Sequence, residues 1–141
     1  GGLAVISDVP KTRVYSLCRW LNSTAIGDGD FAINKVREII PSNIINKAPS
    51  AELKPDQKDQ DSLPSYDVLD DILYRLIEGC ESLEEIQAAG HDLEIVNKVV
   101  KLLMRAEFKR RQAPPGLKIS DRAFGTGWRM PIAKKAIMGN G

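Results

Sequence analysis

Residues 47–71 read KAPSAELKPDQKDQDSLPSYDVLDD, and the rest of the chain is organised around how that stretch is taken. It opens with small residues and a proline, passes through an almost uncharged turn at residues 48–51, and then interleaves Glu52, Lys54, Asp56, Lys58, Asp59 and Asp61 with almost nothing apolar. Before Pro64 only Leu53 and Leu63 offer apolar anchors. Ordering a residue costs roughly 1–2 kcal/mol of backbone entropy, and so little apolar surface does not offset it. The expectation is a mobile, polar connection over residues 47–64, either a solvated linker or a lid beside a binding site.

Outward from that connection the apolar spacing becomes helical on both sides. In the N-terminal block, residues 1–46, Leu3, Ala4, Val5 and Ile6 form a short apolar run suited to a buried strand whose partners lie elsewhere. Ser7 or Asp8 is expected to cap the following helix, and Pro10 fits its first turn. Val14, Leu17, Cys18 and Leu21 then repeat at i, i+3, i+4 and i+7, predicting one buried face. Lys11 sits in that first turn, where its charge opposes the helix dipole unless an anion is close. Residues 22–30, NSTAIGDGD, are turn-rich. Asp30 is expected to cap a helix over residues 31–40, with Ile33, Val36, Ile39 and Ile40 on its apolar face and Pro41 as its stop. Ile44 and Ile45 read as an apolar clip, and Ser50 as a turn hydroxyl after Pro49.

The block at residues 65–112 reads as helices throughout. Ser65 is expected to cap a helix burying Leu69, Ile72, Leu73 and Leu76 and ending at Gly79. Ser82 and Glu85 make the S-x-x-E pattern of a capping box, predicting a short helix to about residue 89. Asp92 caps the last helix, which buries Val96, Val99, Val100 and Leu103 and is expected to run on to Gln112. The cations Lys109, Arg110 and Arg111 suit a helix C-terminus without any ligand. His91 reads as a surface residue beside the cap, with no metal-ligand spacing around it. A DNA-reading helix-turn-helix is disfavoured, since Glu94 leads the second helix and no arginine or glutamine stands there to meet bases. The tail, residues 113–141, has too many glycines and isolated aromatics for a regular element. Phe124, Trp128 and Met130 are expected to dock it on the protein body or on a neighbouring subunit, while its last residues fray.

Composition narrows the function classes. The 141 residues are 43% hydrophobic and 28% charged, the size and make-up of one ordinary domain or part of one. Twenty basic and nineteen acidic residues leave a formal charge of +1, which gives no reason to expect nucleic acid or an anionic membrane as partner. No apolar run approaches the roughly 20 residues that span a bilayer, and no secretory signal pattern opens the chain. Cys18 and Cys80 stand in apolar helical patterns without CxxC or Cys/His spacing. They read as small buried hydrophobes in a reducing cytoplasm.

Three segments carry a resemblance. PSAEL followed by KPDQKDQDSLPSYDVLD is similar to the segment beside the nucleotide site of NAD synthetases, most closely in their glutamine-dependent form. AEFKRRQAPPGLKIS at residues 106–120 resembles that family's closing segment, and GGLAVISDVPKT at residues 1–12 its strand and turn after the central catalytic stretch. All three follow the family's order. The resemblance implies a mostly α chain: the helical C-terminal portion of an α/β synthetase domain of the adenine-nucleotide hydrolase-like, Rossmann-like type, with at most one or two short strands. It further implies a ligase that amidates deamido-NAD to NAD, using ATP with Mg2+ and ammonia from glutamine, through an adenylate. The implied partners are the rest of the synthetase and its glutaminase domain, in a cytoplasmic homo-oligomer without nucleic acid or membrane.

Residue by residue, Lys11 matches a lysine that contacts ATP, and the positive helix end beside it would favour phosphate. Ser50 matches a threonine or serine that touches ATP. Lys109 matches the lysine of an EHKR motif that contacts deamido-NAD, while Phe108 replaces the histidine of that motif, keeping stacking and losing a hydrogen bond. The resemblance places no catalytic or metal-ligating residue in this chain. The family's SGGxDS-type pyrophosphate loop does not occur in it, nor do the cysteine, lysine and glutamate of a glutaminase, so the fragment alone is expected to be inactive. The competing reading is a self-contained helical protein-interaction module, which accounts for the helices and leaves the three ordered matches unexplained.

Overall fold

A computed structural model of the chain describes residues 2–23, 38–47, 63–122 and 127–129. Most of the polar connection at 47–64, residues 31–37 of the helix expected after Asp30, and the side chains of Ser50, Phe124 and Met130 lie outside the described residues. The described elements are helical, as expected: α1 (Lys11–Ser23), α2 (Ser42–Asn46), α3 (Tyr66–Tyr74), α4 (Leu83–Ala88), α5 (Leu93–Arg105) and α6 (Glu107–Gln112). The chain divides into two compact units, Val9–Asp70 and the pair of segments Gly1–Asp8 and Asp71–Gly141.

In the unit Val9–Asp70, α1 starts directly after Pro10, whose carbonyl accepts from the Val14 N–H at 3.0 Å. Its expected buried face is only partly covered: Val14, Cys18 and Leu21 are half-buried and Leu17 is 49% exposed. The helix expected to reach Ile40 does not occupy residues 38–40. Asn22 takes over those backbone groups, its Oδ1 accepting from the N–H of Ile39 and Ile40 at 3.1 and 3.0 Å and its Nδ2 donating to the Ile40 carbonyl at 2.8 Å. Pro41 opens a helix where a stop was expected. Its carbonyl accepts from the N–H of Ile44 and Ile45, so that pair lies inside α2.

In the other unit, Ile72, Ile77, Ile86, Val96 and Val99 are at most 2% exposed and form the core, each worth roughly 1.5–3 kcal/mol of burial. A π-helical turn, Arg75–Gly79, continues α3. Its extra residue advances the helix face by one position, so that Ile77 is buried in place of the expected Leu76. The same insertion moves the left-handed closing position past Gly79 to Cys80, at φ 53°, with the Glu81 N–H reaching back to the Arg75 carbonyl at 3.0 Å. Cys80 is consequently exposed and Cys18 half-buried, so neither is the buried hydrophobe expected.

The capping box holds. The Glu85 N–H donates to the Ser82 hydroxyl at 3.2 Å, and the Ser82 N–H donates to the Glu85 carboxylate at 2.7 Å. Asp92 caps α5 through the N–H of Glu94 and Ile95. The single helix expected up to Gln112 is broken at Ala106. There the chain turns the Glu107 carboxylate inward, to 3% exposure, and α6 starts afresh.

The strand expected over residues 3–6 shrinks to one parallel bridge, Ala4 to Gly116, with the Ala4 N–H donating to the Pro115 carbonyl at 2.9 Å. Ser7 folds back on the Ala4 carbonyl, turning the run away from extended structure and leaving Leu3, Val5 and Ile6 exposed. Nor does Asp8 cap α1. Its buried Oδ2 accepts from the N–H of Ile119 and Ser120 and from the Ser120 hydroxyl at 2.8, 2.9 and 2.8 Å. The first and last of the three family-like segments are thereby clasped together.

Candidate functional site

Phe108 and Lys109 are adjacent on α6, and the local sequence explains why both face outward. Glu107 accepts ion-paired hydrogen bonds from Arg110 and, at 3.2 Å, from Arg111, the i+3 and i+4 positions of the same short helix. Arg110 also lies over the ring of Trp128, 5.0 Å from its centroid, which sets that aromatic against α6. Of the three consecutive cations, two are therefore structural. Lys109 is exposed and, among the described residues, its ammonium has no ion-pair partner; Phe108 beside it is 47% exposed. Beyond α6 the chain is held by the clasp of Ala4 on Pro115 and Asp8 on Ser120.

Lys11 belongs to the other unit and is the first, exposed residue of α1. Its Nζ lies 5.9 Å from the centroid of the Tyr66 ring. The neighbouring Thr12 donates its backbone N–H and its hydroxyl to Asp70 Oδ2 at 2.9 and 2.8 Å. The positive end of α1, expected to favour phosphate, thus already faces a carboxylate of the chain itself. Tyr66 and Asp70 are one turn apart on α3 and were not singled out in the sequence, because nothing local links them to residues more than fifty positions earlier. Glu107 could have been found, since its i+3 and i+4 arginines are a helical ion-pair pattern.

A third cluster joins α3 to the turn before α5. His91 Nε2 lies 2.6 Å from Asp71 Oδ2, which also accepts from Arg75 Nε at 2.9 Å, and Arg75 reaches on to Glu81 at 3.0 Å. His91 is thus a partly buried partner of an acid, in place of the surface residue expected. The Arg75 guanidinium, and after it His91, hold the Asp71 carboxyl below its ordinary range. Along α5 a groove of about 440 Å³ is lined by Glu94, Asn97, Lys98, Lys101, Leu102 and Arg105, a solvated helix face that includes none of the candidate residues. Among the described residues no group of three or more His, Cys, Asp or Glu is gathered that could hold a metal ion, and no helix is long and apolar enough to cross a membrane.

A family profile described as NAD synthase matches residues 1–113. A glutamine-dependent NAD(+) synthetase from Synechocystis is 57% identical over 95% of this chain and 22% of its own length. One from Thermotoga maritima is 48% identical over 96% of this chain and 22% of its own length. The chain therefore spans about a fifth of the length of the curated relatives it matches. A solved structure of glutamine-dependent NAD+ synthetase from Acinetobacter baumannii in complex with ADP aligns with 38% identity and a TM-score of 0.48, over 89% of this chain and 19% of that one.

Proposed function

We propose, since this chain belongs to the NAD synthase family, that it is part of a glutamine-dependent synthetase that amidates deamido-NAD to NAD with ATP. The family match over residues 1–113 carries this reading and sets aside that of an isolated helical interaction module. In the reaction the nicotinic acid carboxylate attacks the α-phosphorus of ATP and pyrophosphate leaves; ammonia then attacks the acyl carbon of the adenylate and AMP leaves. Lys11 and Ser50 are assigned to ATP, Lys109 and Phe108 to deamido-NAD. Exposed Lys109, beside two arginines committed to Glu107, is free to supply a charge-assisted hydrogen bond to a phosphate or carboxylate. Phe108 offers a ring face for stacking.

Magnesium supplies neutralisation of phosphate charge in such chemistry. Following the family resemblance, its ligands are assigned elsewhere in the intact protein; among the described residues no group of three or more His, Cys, Asp or Glu is gathered. The pyrophosphate-gripping loop and the glutaminase that releases ammonia are assigned there too, in a cytoplasmic homo-oligomer. The test is an assay of the intact protein with deamido-NAD, ATP, Mg2+ and glutamine. NAD, AMP and pyrophosphate forming in equal amounts, with ammonia able to replace glutamine, supports the proposal; formation of ADP, or no NAD from either nitrogen source, overturns it.

A further inference from the structure

We propose that Tyr66 and Asp70 are positioning residues for Lys11, which they hold ready for the ATP phosphates; this rests on the assignment of Lys11 to ATP. A lysine at the first position of a helix is disfavoured there by the dipole, and its four-carbon stem is free to sample many rotamers. Both costs are met from α3. Asp70 places a carboxylate against the start of α1 and fixes Thr12 through two hydrogen bonds to one oxygen, 2.9 Å from the backbone N–H and 2.8 Å from the hydroxyl. One turn earlier, the Tyr66 ring lies beneath the Lys11 ammonium at 5.9 Å, within reach of a cation–π attraction that restricts the side chain without neutralising it.

The arrangement leaves no room for a phosphate on the Thr12 N–H, because Asp70 occupies it. Recognition at this end of α1 therefore falls to the Lys11 ammonium as a point charge. Both holding residues stand in SYDVLDD, which closes the polar connection. The connection's exit and the ATP-facing lysine are thus tied through the same turn of α3.

The experiment uses the intact enzyme, varying ATP and deamido-NAD separately. Asp70→Ala should raise the KM for ATP about ten-fold, the loss expected for one charge-assisted contact, while the KM for deamido-NAD stays within about two-fold. Lys11→Ala should raise the ATP value at least as much, and the double variant Lys11→Ala/Asp70→Ala should be no worse than Lys11→Ala alone. Thr12→Ser, which keeps the hydroxyl, should behave as wild type, whereas Thr12→Val should reproduce part of the Asp70 defect; this pair serves if Asp70→Ala does not fold. Tyr66→Leu should give a smaller rise, again for ATP only. Additive single effects, equal losses for both substrates, or an unchanged ATP value in both Asp70→Ala and Thr12→Val beside an impaired Lys11→Ala would overturn the positioning role alone. An unchanged ATP value in Lys11→Ala would overturn the assignment of Lys11 on which it stands.

Discussion

The buried carboxylate of Asp8 accepts both the backbone N–H and the hydroxyl of Ser120, at 2.9 and 2.8 Å, across 112 positions of sequence. It joins the turn within the first family-like segment to the end of the last one, and with the Ala4–Gly116 bridge it fixes the chain that leaves α6. Asp8→Ala removes an acceptor shared by three donors and should cost about 1–3 kcal/mol locally. Hydrogen exchange on the intact protein should show faster exchange at the Ile119 and Ser120 amides, with the α4–α5 core unchanged. Equal protection in variant and wild type would refute the clasp.

Gly116 is required by close approach. A Cβ there would stand 2.0 Å from the Ser7 hydroxyl oxygen and 3.1 Å from the Ala4 carbonyl oxygen. Gly116→Ala should therefore lower stability by about 1–3 kcal/mol. Adding Ser7→Ala should recover part of the loss, because the nearest obstacle is a small side chain and the next is backbone. Thermal unfolding of both variants checks this.

Glu107 is 3% exposed and pairs with Arg110 and Arg111. Glu107→Ala leaves cations beside a buried site without their acid and should destabilise α6 by about 3–5 kcal/mol. Exchange of peptides covering residues 106–113 should rise first.

Asp71 gives a pH dependence of defined sign. Its carboxyl titrates below the ordinary value of 3.8 in the folded chain, through Arg75 and then His91. The group therefore stabilises the fold above that value, and its contribution is lost as pH falls below it towards the folded pKa. Asp71→Asn should be less stable than wild type near pH 7, and the gap should be smaller at a pH below 3.8. Denaturant midpoints at the two pH values measure it; a gap that widens in acid would contradict the assignment.

What the sequence disclosed was what lies within one or two helical turns. The Ser82–Glu85 box, the Asp92 cap and the apolar spacing of Val96, Val99 and Leu103 are all set by neighbours a few positions away, and all are present, although Val100 of the expected face is only half-buried. The π-helical turn was not legible, because an inserted residue changes the phase of the apolar pattern without changing its composition. The break at Ala106 escaped because helix propensity continues through it, while the buried Glu107 ion pairs redirect the chain. Residues 39–40 left the helical pattern because the Asn22 side chain took their N–H groups, a contact 17 and 18 positions away. The candidate residues Lys11, Ser50, Phe108 and Lys109 came from family resemblance. Asp70, bonded to Thr12, and Asp8, bonded to Ile119 and Ser120, are long-range carboxylates that no local pattern announces.

Lys109 and Lys11 are proposed to serve different substrates of one synthetase, and steady-state kinetics of the intact enzyme, with each substrate varied in turn, separates their roles. Losing one charge-assisted hydrogen bond costs about 1.5–3 kcal/mol, so Lys109→Ala should raise the KM for deamido-NAD roughly ten- to a hundred-fold and that for ATP much less. Lys11→Ala should do the reverse. An unchanged deamido-NAD value with normal turnover in Lys109→Ala, or the same loss for both substrates in both variants, would show that the two lysines do not divide the substrates between them.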